Sequence, residues 1–129
     1  MSDLMRSMIA ATSGMDSQTT RLRLISENIA NIDTPGYRRK TISFEEVHRQ
    51  SDARAVVPGR VRLDRSELER IYDPAHPMAS SDGYYNGSNV DLIVEMADAR
   101  ESRRSYEASL RMFDQSRGML NSLFDLLRR

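Results

Sequence analysis

The sequence predicts a mainly α fold: long N- and C-terminal helices pairing as an antiparallel coiled-coil-like arm, with a small irregular, β-containing segment between them. Three observations predict it. All four prolines (Pro35, Pro58, Pro74, Pro77) and four of the six glycines fall between Asp33 and Asn89, so the backbone breakers are confined to the middle. Each flanking segment carries a narrow apolar seam at alternating steps of four and three, the 3.5-residue period of a helix that packs along another helix. Within the middle, short runs alternate polar and apolar residues as half-buried strands do. The chain of 129 residues therefore reads as residues 1–32, an N-terminal helix; 33–89, a loop and β segment; and 90–129, a C-terminal helix. The two helices form one axial helical domain.

The first seam runs Leu4, Met8, Ala11, Met15, Gln18, Leu22, Ile25, Ile29, Ile32, apolar at all but Gln18. In the middle, Thr41–Phe44 and Arg60–Leu63 are the strand candidates, whereas Asp73-Pro74-Ala75-His76-Pro77 and Ser80-Ser81-Asp82-Gly83 are turn chemistry. The second seam runs Leu92, Met96, Ala99, Arg103, Tyr106, Leu110, Phe113, Arg117, Leu120, Phe124, Leu127, interrupted only by its two arginines. Beyond Gly118 it widens as Met119, Leu123 and Leu126 join, and a stripe that wide meets more than one neighbour. Glu101–Arg104, Glu107–Arg111 and Asp125–Arg129 have helical spacing with the acid first. Asn89 or Asp91 is placed to cap the second helix, and Asp91 and Glu95 favour its dipole.

Charge and composition exclude several functions. Lysine and arginine together number 19, as do aspartate and glutamate, and each of the three segments is separately balanced. Binding driven by phosphate neutralisation needs a basic surplus, so nucleic acid is not an expected partner. Without cysteine there is no disulfide framework, thiolate metal site or thiol nucleophile. The N-terminus shows no basic region followed by a continuous apolar stretch, so no standard secretory signal is expected. His48 and His76 lack a second histidine at metal spacing and are expected to be exposed loop residues. Arg38-Arg39-Lys40, with Glu45 and Glu46 following, reads as a solvated face. No glycine-rich phosphate loop or nucleophile elbow is present. Neither a catalytic site nor a metal, cofactor or small-molecule substrate is expected.

The distinctive stretch is Asn28-Ile29-Ala30-Asn31-Ile32-Asp33-Thr34-Pro35-Gly36-Tyr37. Asparagine tolerates left-handed backbone, so Asn31 is suited to ending the helix. Pro35-Gly36 suits the centre of a type II turn, and Asn28 is expected to bond the backbone of that turn.

The pattern Asn28-x-Ala30-Asn31-x-x-Thr34-x-Gly36-Tyr37, followed by basic residues, resembles the N-terminal signature of the axial proteins of the bacterial flagellum, the rod and hook family. Asp73-Pro74-Ala75-His76-Pro77, Asp82-Gly83-Tyr84, Asn89-Val90, Glu95-Met96 and Arg103/Arg104-Ser105-Tyr106-Glu107-Ala108 resemble its basal-body rod branch, closest to the proximal-rod proteins. Asp91 and Ser109 stand where that branch commonly carries asparagine. The resemblance implies a structural subunit whose terminal helices pack together and against neighbours in a hollow, torque-transmitting shaft. It implies other rod proteins and copies of itself as partners, with the inner-membrane ring or export gate as further neighbours. It also implies a periplasmic position in the basal body, reached by the flagellar type III route without a cleaved signal peptide. The alternatives are a different rod sibling and a soluble coiled-coil dimer acting as an adaptor. Within one subunit, Leu22, Ile25 and Ile29 are expected to pack with Leu110, Phe113 and Leu120; Met15 and Tyr106 share those seams. Leu123, Phe124 and Leu127 are expected to meet adjacent subunits.

Overall fold

A computed structural model of the chain describes residues 2–48 and 53–129. Helix α1 spans Asp3–Ala30 and helix α2 Leu92–Leu127. Between them lie two antiparallel hairpins, β1 (Lys40–His48) with β2 (Arg54–Leu63), and β3 (Arg70–Tyr72) with β4 (Tyr84–Asn86). The chain is thus mainly α with a small two-sheet middle. Neither helix is long and apolar enough to cross a membrane.

Both helices begin where capping chemistry allows. The Ser2 side chain accepts from the Met5 amide at 3.3 Å, and the Asp91 carboxylate from the Ile93 amide at 2.9 Å, each satisfying one otherwise free amide of a first turn. Asn89, the other cap candidate, is occupied elsewhere.

Contacts between the helices run in opposite chain directions. Ser116 Oγ bonds Ser7 Oγ at 3.0 Å, Gly14 lies against Ser109, and Arg21 reaches Asp98 and Glu101. Seven residues up α1 are therefore seven residues down α2. This register corrects the expected pairing: Leu22, Ile25 and Ile29 lie opposite the first turns of α2, and Phe113 lies beside Met8, Ile9 and Thr12. Matching apolar content alone ignored that the chain must reverse direction through an intervening lobe that fixes where α2 starts.

The contact face is also rotated from the predicted seam. The buried side chains of α1 are Ala11, Ser13, Ser17, Leu24, Ile25 and Asn28, and those of α2 are Glu95, Ala99, Ser102 and Ser116. Ser13, Ser17 and Asn28 are buried against the hairpin, whereas the small residues Ser7, Gly14, Ser109 and Ser116 meet between the helices, and small side chains let helix axes approach closely. A Cβ on Gly14 would already stand 3.0 Å from Ser109 Oγ. The larger seam residues Met15, Leu22, Ile29, Tyr106, Phe113 and Leu120 are only half-buried, and Leu92, Met96 and Leu110 are exposed.

Asp3 comes level with about Leu120 in this register, so the last two turns of α2 overhang the start of α1; residues 121–129 are all exposed. The surface totals 9322 Å², about a third more than the roughly 7,000 Å² of a compact monomer of this mass.

The β1–β2 hairpin lies on α1 and is fastened to it at two places. Near its open end, Lys40 N donates to Asn28 Oδ1 and Asn28 Nδ2 donates to Lys40 O, both at 2.9 Å. Further along, Val56 N donates to Ser13 Oγ at 3.0 Å and Ser17 Oγ donates to Val56 O at 3.1 Å. In each case helix side chains satisfy the strand groups that would otherwise face outward unpaired. The ladder carries a bulge between Ile42 and Phe44.

Candidate functional site

Two features stand out: a polar junction where α1, β1 and the start of α2 meet, and the uncovered apolar surface of the helix pair.

The junction starts with the signature turn. Asn31 ends α1, but at φ −107° and ψ 15° rather than in the left-handed region expected of it; its Nδ2 donates back to Glu27 O at 2.8 Å. Closing the helix through that side-chain bond removes the need for a left-handed residue. Thr34 Oγ1 donates to Asn31 Oδ1, and Tyr37 N donates to Thr34 O, both at 3.1 Å. Pro35 and Gly36 occupy the centre of this turn, with Gly36 at φ +73°, the type II position that favours glycine. Ala30 is exposed and makes no side-chain bond to the turn.

Asn28 is buried (1 % exposed) and bonds the Lys40 backbone together with the Tyr37 hydroxyl, which donates to Asn28 Oδ1 at 2.9 Å. It therefore holds the chain just beyond the turn rather than the turn's own backbone, because Tyr37 stands between the two. Burial, opposed by Lys40 and aided by Glu27 and Glu95, pushes the Tyr37 phenol above the ordinary tyrosine range.

The Arg38-Arg39-Lys40 run is not a solvated face. Arg39 Nε donates to Glu95 Oε1, and its Nη2 to Asp98 Oδ2 at 2.7 Å. Glu95 is fully buried and its Oε2 has no hydrogen-bond partner among the described residues. Arg21 on α1 sits 3.7 Å from Asp98, so one network joins α1, the residue that leads into β1, and α2. Burial works against the charge on Arg39, but Glu95, through its hydrogen bond and charge, and then Asp98 and Asp64, raise its pKa. Arg38 donates to the carbonyls of Asp64 and Ser66, and Lys40 pairs with Glu27 at 3.1 Å.

Asn89 Oδ1 accepts from Arg39 N at 2.6 Å while its Nδ2 donates to Asp64 O at 2.9 Å. Ser88 Oγ donates to Ile32 O, which ties the chain entering α2 to the end of α1. Hydrogen bonds from Ser66 hold the Asp64 carboxyl below the usual range.

These partners went unread in the sequence. Charge counting treats Arg39 and Glu95 as separate surface residues, since they stand 56 positions apart. The usable signal was that both fall within the stretches carrying the family resemblance. The histidines meet the expectation only in part. His48 is exposed but ends strand β1 rather than lying in a loop, and His76 lies in a turn but is half-buried and stacked on Tyr85 with ring centroids 3.9 Å apart.

The apolar surface is concentrated at the ends of α2. Leu123, Phe124 and Leu127 are 48, 54 and 77 % exposed, and Ile93 is 79 % exposed. Isolated exposed apolar residues are ordinary, but contiguous ones mark interaction surfaces. Leu123, Phe124 and Leu127 share one helix face, spaced three and four residues apart.

A family model described as "Flagella basal body rod protein" matches residues 8–38, and one described as "Flagellar basal body rod FlgEFG protein C-terminal" matches residues 81–126. The chain is 43 % identical to a flagellar basal-body rod protein FlgC of Agrobacterium fabrum, over 92 % of this chain and 91 % of that protein. It is 28 % identical to a FlgC of Bacillus subtilis, over 93 % of this chain and 95 % of that one. It is also 34 % identical to a FlgB of Bacillus subtilis, over 81 % and 80 % respectively.

Proposed function

Because the chain belongs to the flagellar basal-body rod protein family, we propose that α1 and α2 form its axial, coiled-coil-like arm and stack with other rod proteins and further copies in the periplasmic shaft. It is a structural subunit of the flagellar basal-body rod.

One observation carries the finer reading: the helices use their small residues against each other and leave the larger apolar ones uncovered. Met15, Leu22, Ile29, Tyr106, Phe113 and Leu120 remain half-buried, while Leu123, Phe124 and Leu127 extend past α1 altogether. A face of that kind gains area from neighbours rather than from its own subunit. The signature residues Asn28, Asn31, Thr34, Pro35, Gly36 and Tyr37 then act as positioning residues, fixing how the hairpin leaves the arm. The Arg39–Glu95–Asp98–Arg21 network ties that hairpin to both helices, which suits a part that transmits torque without shearing. A place at the base of the shaft, next to the inner-membrane ring or export gate, completes the proposal. The role is architectural, with no chemical step.

The test uses the overhang. Phe124, about half exposed, leaves roughly 100 Å² to a neighbour, worth about 2.5 kcal/mol. Phe124→Asp and Leu127→Asp should leave the subunit's helicity unchanged yet sharply reduce rod assembly and swimming. Normal assembly in both variants would overturn the proposal.

A further inference from the structure

Each strand of the β1–β2 hairpin has one half of its outer edge covered and the other half open. Residues opposite each other in an antiparallel pair alternate: one pair exchanges backbone bonds, and the next points its N–H and C=O groups outward. Lys40 and Val56 point outward, since α1 side chains bond the backbone groups of both. The same alternation turns Val61 and Leu63 outward on β2, opposite Ile42 and Lys40. It turns Phe44 and Glu46 outward on β1, opposite Pro58 and Val56. Among the described residues no turn, loop or side-chain bond takes up the outward groups of these four residues. Resting on the rod-subunit reading above, we propose that the two open half-edges are the two sides of one interface. The β2 strand of one copy and the β1 strand of a second copy of this chain pair edge to edge, so that the hairpins of neighbouring subunits form one continuous sheet.

Charge selects this pairing. Arg60 and Arg62 flank the open half of β2, and Glu45 and Glu46 lie on the open half of β1. Glu46 pairs with Arg54 across its own hairpin. Exposed Glu45 and Arg62 have no ion partner among the described residues. Two β2 edges would set arginine against arginine, and like charges directly opposite each other are destabilising. An open edge guarded by charge of one sign therefore refuses its own kind and accepts an edge of the other sign.

One antiparallel register brings both outward residues of each half-edge together: Val61 opposite Glu46 of the second copy, and Leu63 opposite its Phe44. These two pairs exchange backbone bonds in both directions. The same register places Arg62 directly opposite Glu45 of the second copy, in the intervening pair, where facing side chains come closest. On the other face exposed Leu63 meets half-buried Phe44, which adds an apolar cross-strand contact. Within its own hairpin Val61 faces Ile42. The step from Ile42 to Glu46 therefore shifts the second copy by about 13 Å along the strands, and it stands two strands, about 10 Å, to the side. The combined offset of about 16 Å leaves room for a helix about 10–12 Å in diameter, so the α1 helices of adjacent copies lie side by side.

The contact is heterologous: each copy presents its β2 half-edge to one neighbour and its β1 half-edge to another, so the sheet propagates. It buries little beside the roughly 800 Å² per partner typical of a stable pair, so it forms where the helical arms already hold subunits side by side. Its role is to keep neighbouring hairpins from sliding, because a slip of one residue would turn every side chain to the opposite face.

Because the chain has no cysteine, Arg62→Cys and Glu45→Cys report the contact directly. Within one subunit Arg62 faces Thr41, which puts Glu45 about 13 Å further along the strand. A disulfide needs Cα atoms within about 7 Å, so any bridge must join two copies. Hook–basal bodies are purified from cells expressing each single variant, both together, or the double variant, then oxidised and separated under non-reducing conditions. The two single variants together should give dimers and nothing larger, and the double variant should give trimers and longer species. Three results would overturn the proposal: a double variant present in the particles that stays monomeric; Arg62→Cys dimerising with itself as readily as with Glu45→Cys; or Glu45→Cys joining only a protein of different mass. If the cysteine variants do not enter the particles, charge exchange decides. Arg62→Glu should lose most of its swimming, and adding Glu45→Arg should restore it; equal swimming in the two overturns the proposal as well. The rod reading is judged separately, by mass spectrometry for the wild-type chain in hook–basal-body particles. Its presence there without cross-links in the variants sinks the sheet contact alone.

Discussion

Replacing Arg39 with methionine tests the polar junction most directly. The substitution keeps an unbranched side chain but removes the only group among the described residues that bonds the Glu95 carboxylate, which is fully buried with its second oxygen unpartnered among those residues. Breaking a buried pair from one side costs about 3–5 kcal/mol, because the remaining charge stays buried without compensation. A domain of this size has a total stability of roughly 5–15 kcal/mol, so Arg39→Met should remove about a fifth or more of it. With Glu95→Met added, the uncompensated charge disappears, and the double variant should recover to within about 1 kcal/mol of the parent. Asp98 loses one partner in both variants but keeps Arg21 and is partly exposed, so it adds little. Urea unfolding of the three proteins at neutral pH, followed by far-UV circular dichroism, gives each value. An Arg39→Met cost below about 1 kcal/mol, or a double variant as unstable as the single, would refute the reasoning.

Other outcomes follow from the same geometry. Asn28→Ala leaves the Lys40 amide and carbonyl without their side-chain partners, at about 1–3 kcal/mol for each group kept from water; Asn28→Asp, which accepts but cannot donate, should fall between in the same denaturation assay. Gly36→Ala should cost about 1–2 kcal/mol from backbone strain alone, since nothing lies within 4 Å of the added Cβ; an equal loss in Gly36→Asn, which tolerates that backbone, would contradict this. Tyr37 is held above its ordinary value of 10.0 by burial, so its contribution to stability is fully present below pH 10 and is lost as pH rises through the folded value. Ultraviolet titration of the five tyrosines should show one ionising late, and Tyr37→Phe should remove that step.

Local chemistry in the sequence determined the helices, the breaker-rich middle, the caps and the type II turn, because each depends on residues within one or two turns of one another. Pro35-Gly36 needs nothing beyond its neighbours to turn, and Asp91 caps from within its own helix. The seams told which residues are large and apolar, and from them that the helices seek helical company. They did not tell which face the helices turn toward each other. That depended on Ser7, Gly14, Ser109 and Ser116, small residues that no hydrophobic pattern selects, because close approach rewards lack of bulk as well as apolar character. The register escaped for a related reason: it is set by where the hairpin delivers the chain to the start of α2, and the forks from Asn28 to Lys40 and from Ser13 and Ser17 to Val56 join residues 12 to 43 positions apart. Arg39 and Glu95 looked like two surface charges in a neutral chain. Only the fold brings them together, and only burial makes their partnership worth more than a solvated pair.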